Sequence, residues 1–303
     1  TASGSALAWA MRQCPWAPLR TPSGKFLSWQ GYGNPAQELE EGGNTIYNNA
    51  TTTMNFSLDW EIVKGLKITG QTILRKQVND DFVYRQRYAE YNWDDSINKY
   101  NTDKNWGQKA FSKGWYKNYN VFAEYQNVFA NKHDFKVMVG GQHEEFSNDM
   151  FSALRYNFSG DNFNLALGGT KNQEANQSTS AETMRSAYGR LSRYILEVNA
   201  RYDGTSRFAK GHRWGLFTGY SAAWRLSEEH FMKDLDIFDQ FKIRASWGQM
   251  GNAQGNIGKY DYIPVIRIDS SYPYPFNKTE VTQKATSNMV SLARTWEKLE
   301  VTN

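Results

Sequence analysis

Alternation with a period of two, repeated along most of this chain, limits it to strands that present one apolar face and one polar face. From Asn55 to Ile62, Phe56, Leu58, Trp60 and Ile62 share one face, while Asn55, Ser57, Asp59 and Glu61 share the other. Lys64-Gly65 follows, and Leu66, Ile68, Gly70, Thr72 and Leu74 then oppose Lys67, Thr69, Gln71 and Arg75. Two alternating runs joined by a short Gly-containing turn predict a hairpin. The pattern returns at Val121–Gln126 and, after a turn at Asn131-Lys132-His133, at Phe135–Gln142. It returns again at Tyr194–Asp203, Gly215–Leu226 and Phe241–Trp247, with a last strand expected from near Trp296.

The polar faces of these runs carry full charges, which suits contact with water better than a sandwich core. Each run is roughly 9 to 13 residues, the length a tilted strand needs to cross a bilayer and longer than the ~5–6 of a soluble strand. Composition fits this reading. Aromatic residues make up 15% of the 303, with 11 Trp, 18 Tyr and 17 Phe, yet mean hydropathy is −0.72. Strands apolar on one face, polar loops and aromatic girdles give both values together. No apolar run is long enough for a membrane-spanning helix, and no signal peptide opens the chain. A lone cysteine, Cys14, allows no internal disulfide. The net charge of +4 is spread along the chain, without the basic block that nucleic-acid binding calls for.

The connections alternate in length. Short ones are expected at Lys64-Gly65, at 131–133 and near Ser192. Long ones are expected at about 78–117, 146–183 and 250–294. Transmembrane barrels place short turns on the inner side of the membrane and long loops outside. One inner connection is longer: Ser227 to Gln240 predicts a helical turn with Ser227 as N-cap and Glu228-Glu229 in its first turn. The predicted fold is all-β, a transmembrane antiparallel β-barrel segment over 1–303. A soluble β-sandwich or solenoid is the competing architecture.

The stretch Tyr188–Ile263 carries longer motifs. These are Tyr202-Asp203-Gly204-Thr205-Ser206-Arg207-Phe208, Arg213-Trp214-Gly215, Ser221–Glu229, Lys242–Gln249 and Gly251-Asn252. Their order and spacing resemble the barrel of the SusC/RagA family of TonB-dependent transporters. Asn34-Pro35, Leu58-Asp59, Lys64-Gly65-Leu66, Trp296-Glu297-Lys298 and Asn303 extend the likeness. It implies part of a barrel of about 22 strands whose plug domain is absent from this chain. It also implies location in the outer membrane of a Bacteroidota-type cell, amid outer-membrane lipid, and nutrient import driven by the TonB complex through a segment outside this chain. A SusD-like surface lipoprotein is the implied partner, and glycans or peptides are the implied substrates. A passive porin or adhesin barrel is the rival class.

Physical roles can be assigned to the motif residues. Asp203-Gly204-Thr205-Ser206 reads as turn chemistry at the outer rim. Trp214 and Trp224 are expected at opposite ends of one strand, as girdle aromatics. Gly248, Gly251 and Gly255 are expected to bend the chain into a long loop. The family's longer turn before Tyr194 is missing here: Leu191-Ser192-Arg193-Tyr194 runs almost directly from strand to strand, which predicts a deletion or gap at that point.

Neither catalytic sets nor cofactor fingerprints emerge, so no enzyme activity and no cofactor are expected. His133, His143, His212 and His230 lack metal-ligand spacing. Asp80-Asp81, Asp94-Asp95 and Glu144-Glu145 lack calcium-loop spacing and read as solvated loop charge. The long loops are rich in aromatics: Tyr84, Tyr88, Tyr91, Trp93, Tyr100, Trp106 and Trp115 in the first, and Tyr260, Tyr262, Tyr272, Tyr274 and Phe276 in the last. Such rings either pack the loops together or contact the lid lipoprotein, or they lie against the apolar faces of sugar rings. Trp93 and Trp106 are the substrate-contact candidates.

Overall fold

The computed structural model describes residues 8, 10–11, 14, 16–28, 33–129, 133–159, 164–171, 173–193, 196–233, 239–255, 258–264, 266–269, 274–276, 279–281, 284–287 and 290–303. Its strands in chain order are β1 (Gly43–Val63), β2 (Leu66–Arg85), β3 (Ala89–Tyr91), β4 (Ile97–Tyr100), β5 (Trp106–Phe129), β6 (His133–Tyr156), β7 (Glu174–Arg193) and β8 (Leu196–Thr205). There follow β9 (Trp214–Arg225), β10 (Lys242–Asn252), β11 (Ile266–Asp269), β12 (Tyr274–Phe276), β13 (Thr279–Val281), β14 (Lys284–Ser287) and β15 (Glu297–Thr302). Nine of them form one sheet in the order β1-β2-β5-β6-β7-β8-β9-β10-β15. The pairs β7–β8, β8–β9, β9–β10 and β10–β15 are antiparallel. The small strands form three two-stranded sheets within the connections, β3–β4, β12–β13 and, enclosing the latter in sequence, β11–β14.

Gly65 closes the β1–β2 turn with φ +86°, a left-handed conformation that a Cβ would strain. The turn residues 131–132 and the connection 194–195 lie outside the described residues. Arg193 pairs with Leu196 on either side of the latter.

Strands reach well beyond the expected lengths. β5 and β6 each run 24 residues, so the connections on the long-loop side narrow to 86–105, 157–173 and 253–296. Strands of this length overrun the ~9–11 residues a bilayer requires. Beyond the lipid both faces meet water, so the backbone ladder continues where apolar alternation stops.

The chain divides into two compact units. The first comprises Thr1–Thr52, Lys76–Gly114 and Asn148–Thr179. It holds the helix Pro35–Glu41, which starts at Asn34, whose side chain accepts from the backbone N–H of Ala36 and Gln37. Its core is Phe82, Tyr84 and Phe158 with Leu165 packed against them. Tyr84 and Phe158 meet edge to face at 5.7 Å.

The second unit comprises Thr53–Arg75, Trp115–Ser147 and Ser180–Asn303. Register across its strands sorts residues by face. Leu191, Val198, Tyr220 and Trp247 align across four strands, as do Ala187, Tyr202 and Leu216 across three. These apolar rows are exposed: Leu216 is 52%, Ile243 51% and Leu58 on β1 74% accessible. The opposite face aligns Ser192, Glu197, Ser221 and Ser246 in one row and Tyr188 with Arg201 in another. A sheet with an uncovered apolar face and a charged opposite face is what lipid on one side and water on the other require.

Three local expectations need correction. Asp203, Gly204 and Thr205 are strand residues, paired with Ser186, Arg185 and Met184, and the turn starts only at Ser206. Gly248 and Gly251 lie inside β10; a Cβ on Gly251 would collide with the Phe217 ring, so this glycine makes room rather than a bend. Ser227 sits within a 3-10 turn, Leu226–Glu228, whose N-cap position is Arg225, and a helical turn follows at His230–Lys233. The backbone N–H of Ser227 instead bonds the Phe241 carbonyl.

Candidate functional site

On the polar face of the second unit, side chains of four adjacent strands join in one network. Arg201 donates Nε to both oxygens of Asp203, at 2.7 and 2.9 Å, and a terminal nitrogen to Gln142 and Ser186. Gln142 and Asn118 both donate to Glu144 Oε1. Further along, Tyr188 donates to Asn120 at 2.6 Å, Lys136 pairs with Glu124 and Arg190 with Glu197. Alternation puts these groups on one side because their cross-strand partners share it. The face is therefore a wall of fixed hydrogen-bond donors and acceptors, with positive and negative charges interleaved.

At the long-loop end of this wall, residues 206–213 fold into a compact corner. Phe208 is 1% exposed and packs with Phe217, Ala253 and Trp296. Trp296 donates its indole N–H to the Arg213 carbonyl at 2.8 Å. Arg207 grips Glu182 with two nitrogens, and both side chains are nearly buried. These are structural roles: the corner fixes where the strands end and where the long 253–296 connection leaves.

The first unit carries the loop aromatics. Tyr84 and Tyr88 are buried, while Lys25 lies over Tyr91 and Arg87 over Tyr100. Tyr88 donates to Glu38, which also pairs with Arg85. Burial, then the Glu38 carboxylate, push the Tyr88 phenol far above its usual range, so it stays a donor at all ordinary pH.

Trp93 stands in the β3–β4 turn and is 58% exposed. That turn is held by Asn92 N–H to Ser96 O and Asp95 N–H to Asn92 O. Asp95, at φ 65°, accepts from the hydroxyls of Thr21 and Ser23, both at 2.7 Å. Trp106 is the first residue of β5 and half-buried, next to Asn105, which bonds both the N–H and C=O of Phe158. The two candidates thus occupy separate elements, each on a braced backbone. Among the described residues neither ring stacks on another aromatic. In the last loop, Tyr260 both donates to and accepts from the Ala181 backbone; Tyr272 lies outside the described residues, as do the side chains of Tyr274 and Phe276. Among the described residues no cluster of His, Cys, Asp and Glu is placed to hold a metal, and no helix is long and apolar enough to cross a membrane.

No protein-family model matches the chain. Curated relatives do. The TonB-dependent receptor SusC of Bacteroides thetaiotaomicron is 30% identical over 203 residues, 63% of this chain and 20% of that protein. The TonB-dependent receptor P39 of Formosa agariphila is 28% identical over 195 residues, 60% of this chain and 18% of that protein. Solved structures of the RagAB peptide transporter and of the RagAB peptide importer in its open-open state share the fold, with TM-scores of 0.69 and 0.74 at 17% and 16% identity. They cover 84% and 91% of this chain and 28% and 30% of those chains. The chain is thus similar to part of the barrel of SusC-like TonB-dependent receptors. It spans about a fifth of the length of the curated relatives it matches.

For this SusC-like segment, sequence reasoning found the strands and the motifs but missed the couplings inside them. The Glu182–Arg207 pair joins residues 25 apart, and the Arg201 network reaches Gln142 across 59. The available signal was parity: Gln142, Ser186, Arg201 and Asp203 all fall on the polar side of their strands.

Proposed function

We propose that the full receptor imports glycan fragments across the outer membrane by active, TonB-driven transport, with a SusD-like lipoprotein over its long-loop side. The observation that carries this reading is the two-faced sheet. Its apolar rows call for lipid, and its opposite face is a hydrogen-bonded wall suited to a watery passage for a polar solute. The exposed, braced indole of Trp93 and the half-buried Trp106 are the rings proposed to lie against sugar faces, with neighbouring polar side chains bonding hydroxyls. We read the chain as non-enzymatic, as the receptor names of its relatives suit. Peptides are the second reading, favoured by the fold's likeness to structures described as a peptide transporter.

The test is growth of a deletion strain on purified glycans and peptides as sole nutrients. Loss of growth on a glycan, restored by the full gene and not by a TonB-uncoupled version, supports the proposal. A defect confined to peptides replaces the substrate, and rescue by the uncoupled gene replaces active transport with passive diffusion.

A further inference from the structure

A cavity of about 370 Å³ opens on the apolar side of the second unit, at the long-loop end of β7, β8 and β9, and is lined in part by Arg185, Arg213, Thr183, Ser206 and Trp214. Arg185 pairs in register with Gly204, and Gly204 with Trp214, so the arginine stands in the row that ends on an exposed indole. Its side chain is exposed and has no hydrogen bond or ion pair among the described residues. Arg213 uses Nε on the Phe208 carbonyl at 2.9 Å, and its terminal nitrogens have no partner among the described residues. Ser206 Oγ accepts the Thr183 N–H at 2.9 Å and keeps its own proton to donate. The nearby carboxylates are committed elsewhere: Asp203 to Arg201 and Glu182 to Arg207. Below the cavity the same face continues as Tyr202 and Leu216, apolar and about half exposed.

Two unneutralised guanidiniums, a free hydroxyl proton and an indole above an apolar strip match an anion joined to hydrocarbon chains. Guanidinium forks suit phosphate oxygens, and rim aromatics belong at headgroup depth. A soluble anion would need the arginines but not the strip.

We propose that this cavity binds the phosphorylated headgroup of an outer-leaflet lipid, with Arg185 and Arg213 on the phosphate and the acyl chains along Tyr202 and Leu216. The inference goes beyond substrate import and rests on the outer-membrane placement proposed above.

The test uses the full-length receptor in detergent, presented with lipid A carrying its phosphates, with enzymatically dephosphorylated lipid A, or with inorganic phosphate as competitor. Bound lipid is counted by native mass spectrometry. Phosphorylated lipid A is expected to bind at least about tenfold better than the dephosphorylated form, with R185Q/R213Q losing a similar factor and R185K/R213K recovering part of it. Equal binding of the two lipids, an unaffected double variant, or displacement by inorganic phosphate at matching concentration overturns the site. If the glutamine variant misfolds, the two-lipid comparison on the unaltered receptor still decides. Fractionation of the same cells separates the two readings: a receptor found outside the outer-membrane fraction removes the placement, whereas one found there without selective lipid binding removes only the site.

Discussion

The ring of Trp214 lies against the backbone of Gly204, its register partner on β8, and stacks on Tyr202 with centroids 4.8 Å apart and planes 15° from parallel. A Cβ on Gly204 would come within 2.6 Å of the indole, so this glycine is what lets the indole cover the strand. Gly204→Ala is expected to push the ring out, break the stack and cost about 1–3 kcal/mol. The loss would read as a lower temperature for the shift in gel mobility when the full receptor unfolds, with Trp214→Ala showing a comparable drop. An unchanged transition in Gly204→Ala would mean that the indole has no fixed position at the rim.

How far the sequence speaks depends on what surrounds each strand. Where one face meets lipid and the other water, as from Phe56 to Ile62 or Leu216 to Trp224, solvation writes the strand directly into residue order. Gly65 was readable for a similar reason, since a two-residue turn demands a left-handed backbone. Where both faces meet water, as in the outer part of β6 around Ser147–Asp149, alternation carries no energy and the strand was hidden, although its ladder persists. Gly251 was misread because its role depends on the distant Phe217, and the turn that carries Trp93 is braced through Asp95 by Thr21 and Ser23, 74 and 72 positions before that aspartate. Local patterns cannot report contacts of that range.

Arg207 and Glu182 form a second test of the corner. Their side chains are 11% and 5% exposed, so removing one partner strands a buried charge. Arg207→Ala is expected to cost about 3–5 kcal/mol. Arg207→Met with Glu182→Leu is expected to recover most of that loss, because an apolar pair of similar volume leaves no unpaired charge. Folded receptor yield and the unfolding transition of the single and double variants check both values. A double variant no better than the single would place the loss in packing of Arg207 rather than in the charge left behind.

The tether at Asp95 predicts a pH response. The hydroxyls of Ser23, first, and Thr21 hold its carboxyl below the usual range. A depressed folded pKa gives stabilisation that is complete above the unfolded value, about 3.9, and is lost as pH falls through the folded one. Amide protection around Thr21–Gly24 should therefore stay constant from neutral pH down to about 4 and decline only below it. Asp95→Asn, which keeps tolerance of the left-handed backbone, should lower that protection above about pH 4 and match the unaltered protein once the carboxyl is protonated. Protection that already falls near pH 6 would point to a histidine instead.

Trp93 and Trp106 give the sharpest test of substrate contact, because their settings differ. Trp93 is exposed on a turn fixed by its own backbone bonds and by Asp95, so Trp93→Ala should leave folding unchanged. If it touches the substrate, the concentration for half-maximal uptake should rise about five- to tenfold, the loss of an anchoring aromatic worth more than ~1 kcal/mol. Trp106 opens β5 and is half-buried, so Trp106→Ala is expected to weaken uptake and also to lower stability slightly; Trp106→Phe separates the two by restoring packing with a smaller ring. Uptake of radiolabelled substrate by cells with matched receptor levels measures both. Unchanged uptake in Trp93→Ala, with receptor present at the surface, would leave this ring to loop packing or to the lid and move the substrate contact to the polar wall around Arg201.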